Sequence, residues 1–458
     1  MAGKSFDLIF SKNTLFADAL AFFYSIFIYF APWLVVLFYI VWVSRWFSPS
    51  PFFLGVLTYS LIFSMIVSGG MSFLISRFLA DSIYRKDFRR IYESYIGAVL
   101  FVFAVSFVIG WIFFVVNDQY STVQKVLSCY ALIGFSLVWI QMQFASVTER
   151  SSLIALSFIL GFSISIFLAR YWKTDFPEKL LLVLDVGIGL IIFALNYLVL
   201  SYLRNSTRVG FGFLTLTRKY PQLIFVGYFY YLSIWIDNFT IWKMKGQEIS
   251  PGFFLFAEYD IPKFVAALFF IPSLAVFNIA IETVFRRDYK NLMISIVNNH
   301  PLKTIRENMM KLSISLKQAF LNMLSLNLAA LVSCFFLAHS IKKWFNLSEN
   351  FVDIFYWHSV GVSMNISFLS LLVVVLHFEY YGVALEGASL VLMLNALLSA
   401  LTIERFPGFS FFISFSAGVV YLFLRFKSKD FLHEEYVKQP LGLEKSKIEV
   451  RRLGERKR

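Results

Sequence analysis

Long apolar runs separated by short polar stretches dominate the chain up to residue 426. A helix needs about 20 mostly apolar residues to cross a bilayer. On that test the pattern predicts twelve spans, at roughly 18–43, 52–76, 92–116, 125–147, 152–171, 180–203, 221–243, 262–285, 318–341, 353–377, 381–403 and 408–426. The first run is too long for a cleaved signal peptide and no small-residue cleavage site follows it, so it reads as a retained helix. The longest polar break in mid-chain, 204–220, divides the spans into two sets of six. The expected organisation is a first lobe over 1–203, a cytoplasmic linker over 204–220, a second lobe over 221–426 and a basic tail over 427–458. Both sets begin on the same side of the membrane, an arrangement of parallel repeats found in some transporters. No residue-level repeat relates them. The fold class expected is an all-α polytopic membrane protein.

Two polar segments are more than connectors. Within 286–317 the residues Leu302, Ile305, Met309, Leu312 and Leu316 recur at a spacing of three or four, one apolar stripe on a helix opened by Pro301. Such a helix would lie on the inner leaflet or dock a cytosolic partner. The tail ends in a basic stretch, RRLGERKR, suited to anionic lipid.

Composition sharpens the membrane reading. The chain of 458 residues is 59% hydrophobic and 15% charged, against about 25% charged in a soluble domain. Its net charge of +13 does not imply a nucleic-acid partner, because Lys and Arg gather in the loops between spans. With a cytoplasmic N-terminus, 30 of the 41 basic residues fall on the cytoplasmic side and 11 on the other. That asymmetry places both termini in the cytoplasm. Cys129 and Cys334 both lie in apolar runs, so neither a disulfide framework nor a Cys-x-x-Cys metal site is expected. No metal and no cofactor are expected. Neither a D-x-D pair nor a G-x-x-x-x-G-K-[ST] loop occurs, and no soluble segment approaches the size of a catalytic domain, so an enzyme is not expected.

The remaining chemistry lies in charges placed inside apolar runs. An ionised side chain in hydrocarbon costs several kcal/mol, so such groups face an interior or a water-filled path. Asp237 lies 16 residues past Pro221, about 24 Å along a helix, toward the outer part of span seven. Lys263 opens span eight on that side, which makes it the candidate partner of Asp237. Asp260 and Lys263 are three apart and share a face. Glu282 lies 22 residues past Asp260, about 33 Å on, and should emerge beside Arg286 and Arg287. Asp185 sits a turn or two inside span six, within reach of water, and Glu386 in span eleven is placed to point into a central cavity. After span two, Arg77 and Asp81 stand at i and i+4, an ion pair at the membrane exit and a candidate gating element. Among the aromatic residues, Tyr230, Tyr231 and Trp235 of span seven offer flat faces with polar handles suited to sugar rings. An interfacial aromatic belt explains Trp242 instead.

Several of these stretches carry a resemblance. The segments IWIDNFTIW (Ile234 to Trp242), YDIPKFVAALFFIPSLAVF (Tyr259 to Phe277) and IETVF (Ile281 to Phe285), with APWLV (Ala31 to Val35) and SRFLAD (Ser76 to Asp81) ahead of them, resemble the PelG family. PelG proteins are inner-membrane transporters of Pel exopolysaccharide. The resemblance implies a fold of the multidrug/oligosaccharidyl-lipid/polysaccharide (MOP) flippase superfamily, two six-helix lobes around a central cavity. It also implies export of a growing N-acetylated amino-sugar polymer, received from a cytosolic PelF-like glycosyltransferase, for a biofilm matrix. The implied partners are a PelD-like cyclic-di-GMP receptor, a PelE-like tetratricopeptide-repeat protein and membrane lipid. Family motifs map onto Arg77, Asp81, Asp237, Asp260 and Glu282, while the long basic tail departs from the family pattern. Two other functions fit the same architecture: a flippase for lipid-linked oligosaccharide, which needs a basic diphosphate site, and a cation-coupled antiporter protonated at Asp237.

Overall fold

A computed structural model describes residues 36–428, apart from 37–38, 41, 44–45, 48, 149, 173–176, 204–207 and 403. Most of the first predicted span, the APWLV stretch and residues 429–458 of the tail therefore lie outside the described residues. The described positions between Val36 and Val43 are helical, and Val36, Tyr39 and Val43 are buried.

The first lobe continues with α1 (Pro51–Tyr84), α2 (Phe88–Gly110), α3 (Thr122–Ala145), α4 (Ser151–Tyr171) and α5 (Pro177–Leu203). Local chemistry sets their starts. Pro51 stands in the first turn of α1, where its missing N–H costs nothing, and the Ser50 hydroxyl accepts from Phe53 N at 3.2 Å. Ser121 and Gln124 cap α3 reciprocally. After α2 the helix widens into one π turn, Trp111–Val115.

The 204–220 segment is not a free linker over its described part. Phe213 is fully buried in the first lobe and Gly210 N donates to Glu93 O at 3.0 Å. A short helix, α6 (Thr215–Lys219), then leads into α7 (Gln222–Lys245).

The second lobe holds α7, α8 (Ala257–Ala280), α10 (Leu302–Phe345), α11 (Phe351–His377), α12 (Tyr381–Thr402) and α13 (Phe409–Ser428). The helix α8 does not stop at the membrane edge. It passes through a π turn, Ile281–Phe285, into α9 (Arg286–Val297), 41 residues in all. The helix α10 runs unbroken for 44 residues, about 66 Å against a hydrocarbon core of about 30 Å. The segment predicted to lie as a separate surface helix is thus the joint extension of spans eight and nine. Its stripe is largely used internally, since Ile305 and Leu312 are buried in one cluster with Leu292 and Ile296, whereas Leu302 is exposed.

Ten described helices are long and apolar enough to cross a membrane. The 24-residue α7 does not count among them, because Asp237, Asn238 and several Tyr and Trp dilute its apolar character. The protein is a multi-pass membrane protein with two apolar cores, one mostly of first-lobe residues that extends into the second lobe and one in the second lobe.

The lobes meet along α1 and α7. A Cβ added at Gly227 would stand 2.7 Å from Gly69 O, with Tyr228 and Tyr231 rings over Gly70 and Gly69. Only glycine permits two backbones to approach so closely. Beyond the far end of this seam lies a hairpin that the sequence pattern did not predict, β1 (Gln247–Ser250) paired antiparallel with β2 (Phe253–Leu255) and turned at Gly252, φ +79°. It reaches from the second lobe into the first. Tyr59 Oη exchanges hydrogen bonds with Phe254 N and O at 3.0 and 2.9 Å, and Asn117 Nδ2 donates to Pro251 O at 3.3 Å. Tyr120 also donates to Pro251 O. Burial pushes its phenol above the ordinary range, which keeps it a donor.

Candidate functional site

Where α7, α8 and α12 converge, the structure closes a polar cage inside apolar surroundings. Asp237 is fully buried and Lys263 is 6% exposed. Lys263 Nζ donates to Asp237 Oδ2 at 2.7 Å and Oδ1 at 2.9 Å, to Ile234 O at 2.7 Å and to Asn238 Oδ1 at 2.5 Å. The ammonium has three protons, and all of them point at oxygen. Asp237 is held from other sides too. Tyr259 Oη donates to its Oδ2 at 2.6 Å, and Asn395 Nδ2 donates to Ser233 O at 2.8 Å and to Asp237 Oδ1 at 3.4 Å.

Asp260 forms the second layer of the cage. It accepts from Trp242 Nε1 at 2.9 and 3.0 Å, from Asn238 Nδ2 at 2.7 Å and from Phe256 N at 3.1 Å. Asn238 therefore bridges the Asp260 carboxylate and the Lys263 ammonium. Trp242 is buried and stacked on Tyr59 at 5.1 Å. It serves as a hydrogen-bond donor at the lobe seam, which corrects the expectation of an interfacial belt.

Next to the cage, Trp235 is half-buried, 5.6 Å from Lys263 Nζ, and packs against an apolar cluster to which both lobes contribute. Its Nε1–H is buried with no hydrogen-bond partner among the described residues. The buried His358 ring packs edge-on to Tyr259 at 4.6 Å.

The arrangement behaves as an oxygen cage already filled by a tethered cation. Among the described residues no group of three His, Cys, Asp or Glu is placed to hold a metal ion. Every face of the Asp237 carboxylate is taken in this conformation. A sugar hydroxyl would reach Asp237 only after the cage opens, and the unspent N–H of Trp235 is buried as well.

The other predicted residues lie elsewhere. Tyr230 is in the second core, its hydroxyl donating to Asn365 Oδ1 at 3.2 Å, while Tyr231 covers Gly69 at the seam. Glu282 is half-buried in the π turn that precedes Arg286, and Arg287 pairs with Asp288 at 3.1 Å. Glu386 is paired with Arg425 at 3.1 Å and with the Tyr421 hydroxyl, and its side chain is half-exposed. Asp185 does not reach water. It is 4% exposed in the first lobe, and neither carboxylate oxygen has a hydrogen-bond partner among the described residues.

At the opposite end of the seam Arg77 meets Asp81 at 3.2 Å, as predicted, and also Glu379 of the second lobe at 2.6 Å. Its guanidinium stands 5.7 Å from the Tyr220 ring, which packs on Tyr381. Glu379 escaped sequence reasoning because it sits in a three-residue turn carrying no basic residue. The pair is partly solvated, and such pairs contribute about 0–1 kcal/mol. Glu379→Gln should accordingly shift the unfolding free energy of the purified protein by less than about 1 kcal/mol, read from denaturant midpoints. A loss well above that would make this tie a structural necessity.

The profile of the PelG family, described as exopolysaccharide exporter (EPS-E), matches residues 1–436. Among curated proteins no match is found. Solved structures similar to this chain include an outward-facing multidrug resistance MATE family transporter of the MOP superfamily, at 12% identity, with 90% of this chain and 95% of that one covered and a TM-score of 0.59. The lipid II flippase MurJ in an inward closed conformation is similar at 14% identity, 88% coverage of both chains and a TM-score of 0.58. A MOP superfamily transporter from Pyrococcus furiosus is similar at 11% identity, covering 89% and 94%, with a TM-score of 0.59. At these identities the likeness carries the fold alone.

Proposed function

The chain belongs to the PelG family of exopolysaccharide exporters, and on that premise we propose that it carries a growing amino-sugar polymer across the bacterial inner membrane. The polymer is received from a cytosolic PelF-like glycosyltransferase, beside PelD-like and PelE-like partners, and leaves on the outer side for a biofilm matrix. The observation that carries this reading is the family match over residues 1–436. The 30 to 11 division of basic residues supports cytoplasmic termini.

The interface between the lobes supplies the path. Trp235 holds a half-buried aromatic ring and a buried, unpartnered indole N–H there, which an opening of the interface would offer to a pyranose ring with its hydroxyls. The cage behind it ties α7 to α8 and α12 through Asp237. Opening or closing the cage would move Trp235 along with α7. A buried ion pair is no more stabilising than well-packed apolar residues of similar volume, so its place in a membrane helix is best explained by transport.

Deleting the gene in polymer-producing cells tests the reading. Secreted polymer should disappear and unlinked polymer should accumulate in the cytosol. Accumulation of lipid-linked oligosaccharide would favour a flippase instead, and unchanged secretion would overturn both.

A further inference from the structure

A cavity of about 710 Å³ opens at the end of the second lobe that the basic-residue count places outside. It lies between the ends of α7, α8, α10 and α11 and the turn joining α12 to α13. Its size falls in the ordinary range of small-ligand pockets, about 300–1,000 Å³.

Its lining has two chemistries. Tyr356, Trp357 and Phe406 supply aromatic surface, while Glu258, Asp353 and Glu404 supply carboxylates. Against those three acids stand Lys245 and Arg405. Lys245 Nζ is engaged by the backbone carbonyl of Glu404 at 3.3 Å, and Asn350 Nδ2 donates to Glu258 at 3.4 Å. Among the described residues neither Asp353 nor Glu404 has Lys or Arg within ion-pair distance. Both are exposed, so each offers acceptor oxygens on the cavity rim.

Excess carboxylate disfavours a phosphate or diphosphate, and hence an anionic lipid headgroup or a sugar nucleotide. Aromatic faces beside charged acceptors fit a ring with hydroxyl or amine donors and apolar C–H faces. The position adds a link to the cage. Ile241 lines the cavity one turn beyond Asp237, and Trp357 is followed by His358, which packs on Tyr259.

We propose that this cavity is an outer glycan subsite, taking a neutral or amine-bearing sugar unit of the polymer as it emerges. The proposal rests on the exporter reading. A sugar held here hinders the chain from slipping back and bears on the two helices that carry Lys263 and His358.

The test uses the full-length protein in lipid nanodiscs and an N-acetylhexosamine tetrasaccharide as probe, with uridine diphosphate N-acetylhexosamine as the anionic control. Binding is read by thermophoresis for the wild type, Trp357→Leu and Asp353→Asn/Glu404→Gln. Trp357 packs on Phe409 and Phe412, so the carboxamide pair, at exposed positions, guards against misfolding. Both variants should bind the tetrasaccharide about tenfold more weakly, the carboxamide pair at unchanged melting temperature, and the anionic control should not compete. Wild-type affinity in both variants, no binding by the wild type, or a phospholipid that co-purifies with the wild type and not with the variants would overturn the subsite. If deleting the gene abolishes export while the variants bind normally, only the subsite falls. If deletion leaves export intact, the exporter reading falls and takes the subsite with it.

Discussion

Replacing Lys263 with Met should destabilise the protein by about 3–5 kcal/mol. The figure is the known cost of breaking a buried ion pair from one side. Without the ammonium, Asp237 remains fully buried beside Tyr259 and Asn395 as hydrogen-bond donors but with no cation. Asn238 Oδ1 loses its Lys263 donor as well, and an unsatisfied buried acceptor adds to the cost. The expected readout is a sharp fall in the amount of protein inserted in the membrane and in its thermal stability in detergent. Lys263→Arg should not rescue it fully, since a planar guanidinium cannot reproduce the compact ammonium geometry in a cage this small. A Lys263→Met protein of wild-type stability would mean that the buried pair contributes nothing to the fold.

The second large effect is expected at the hairpin. Phe253 is 1% exposed and stands 5.2 Å from the Tyr59 ring, with Phe52, Phe113, Phe114 and Tyr120 rings 5.8–6.1 Å away. It is the plug by which the second lobe holds the end of the first. Phe→Ala in such a setting costs about 3–5 kcal/mol, and a strap anchored mainly by one ring should release locally before the helices unfold. Proteolysis between residues 247 and 255 should therefore quicken by about 100-fold or more, at about 1.4 kcal/mol per decade. Gly55→Leu should act likewise from the other lobe, because a Cβ there would sit 2.6 Å from Phe253 Cγ. Unchanged cleavage in both variants would show that the backbone hydrogen bonds of Tyr59 and Asn117 suffice to hold the hairpin.

The transmembrane plan was legible because hydrocarbon thickness enforces a minimum run of apolar residues, and a run of that length can hardly be mistaken. Asp237 stood out by contrast with its surroundings, and Lys263 was the cation at matching depth. Asp260 was legible too, as a charge three residues before Lys263, but the uncharged members of the cage were not. Asn238, Tyr259 and Asn395 are ordinary in composition, and only the packing of three helices, more than a hundred residues apart in sequence at the extreme, brings them together. Asn395, an amide deep in an apolar run, was the one usable signal.

The hairpin escaped for a different reason. Strands of four and three residues are too short to show alternation, and the pairing is fixed by docking onto the first lobe. The continuous helices through 286–317 were missed because charge was read as an interruption. Helical backbone continues through charged residues where a partner helix covers its apolar side. Trp242 shows the limit of reading a Trp near a membrane edge as an anchor, since its N–H is held by a carboxylate 18 residues on.

The measurement that bears most directly on the proposed transport role of the cage is polymer export by cells carrying Asp237→Asn together with Lys263→Met, with the protein in the membrane quantified in parallel. Removing Asp237 and Lys263 together leaves neither half of the pair unmatched, and Asp260 keeps its Trp242, Asn238 and Phe256 donors, so the protein should be present near the wild-type amount. Secreted polymer should nevertheless fall to the level of cells lacking the gene. Normal secretion without the Asp237–Lys263 pair would mean that the buried pair serves only the fold, and that the polymer crosses without it.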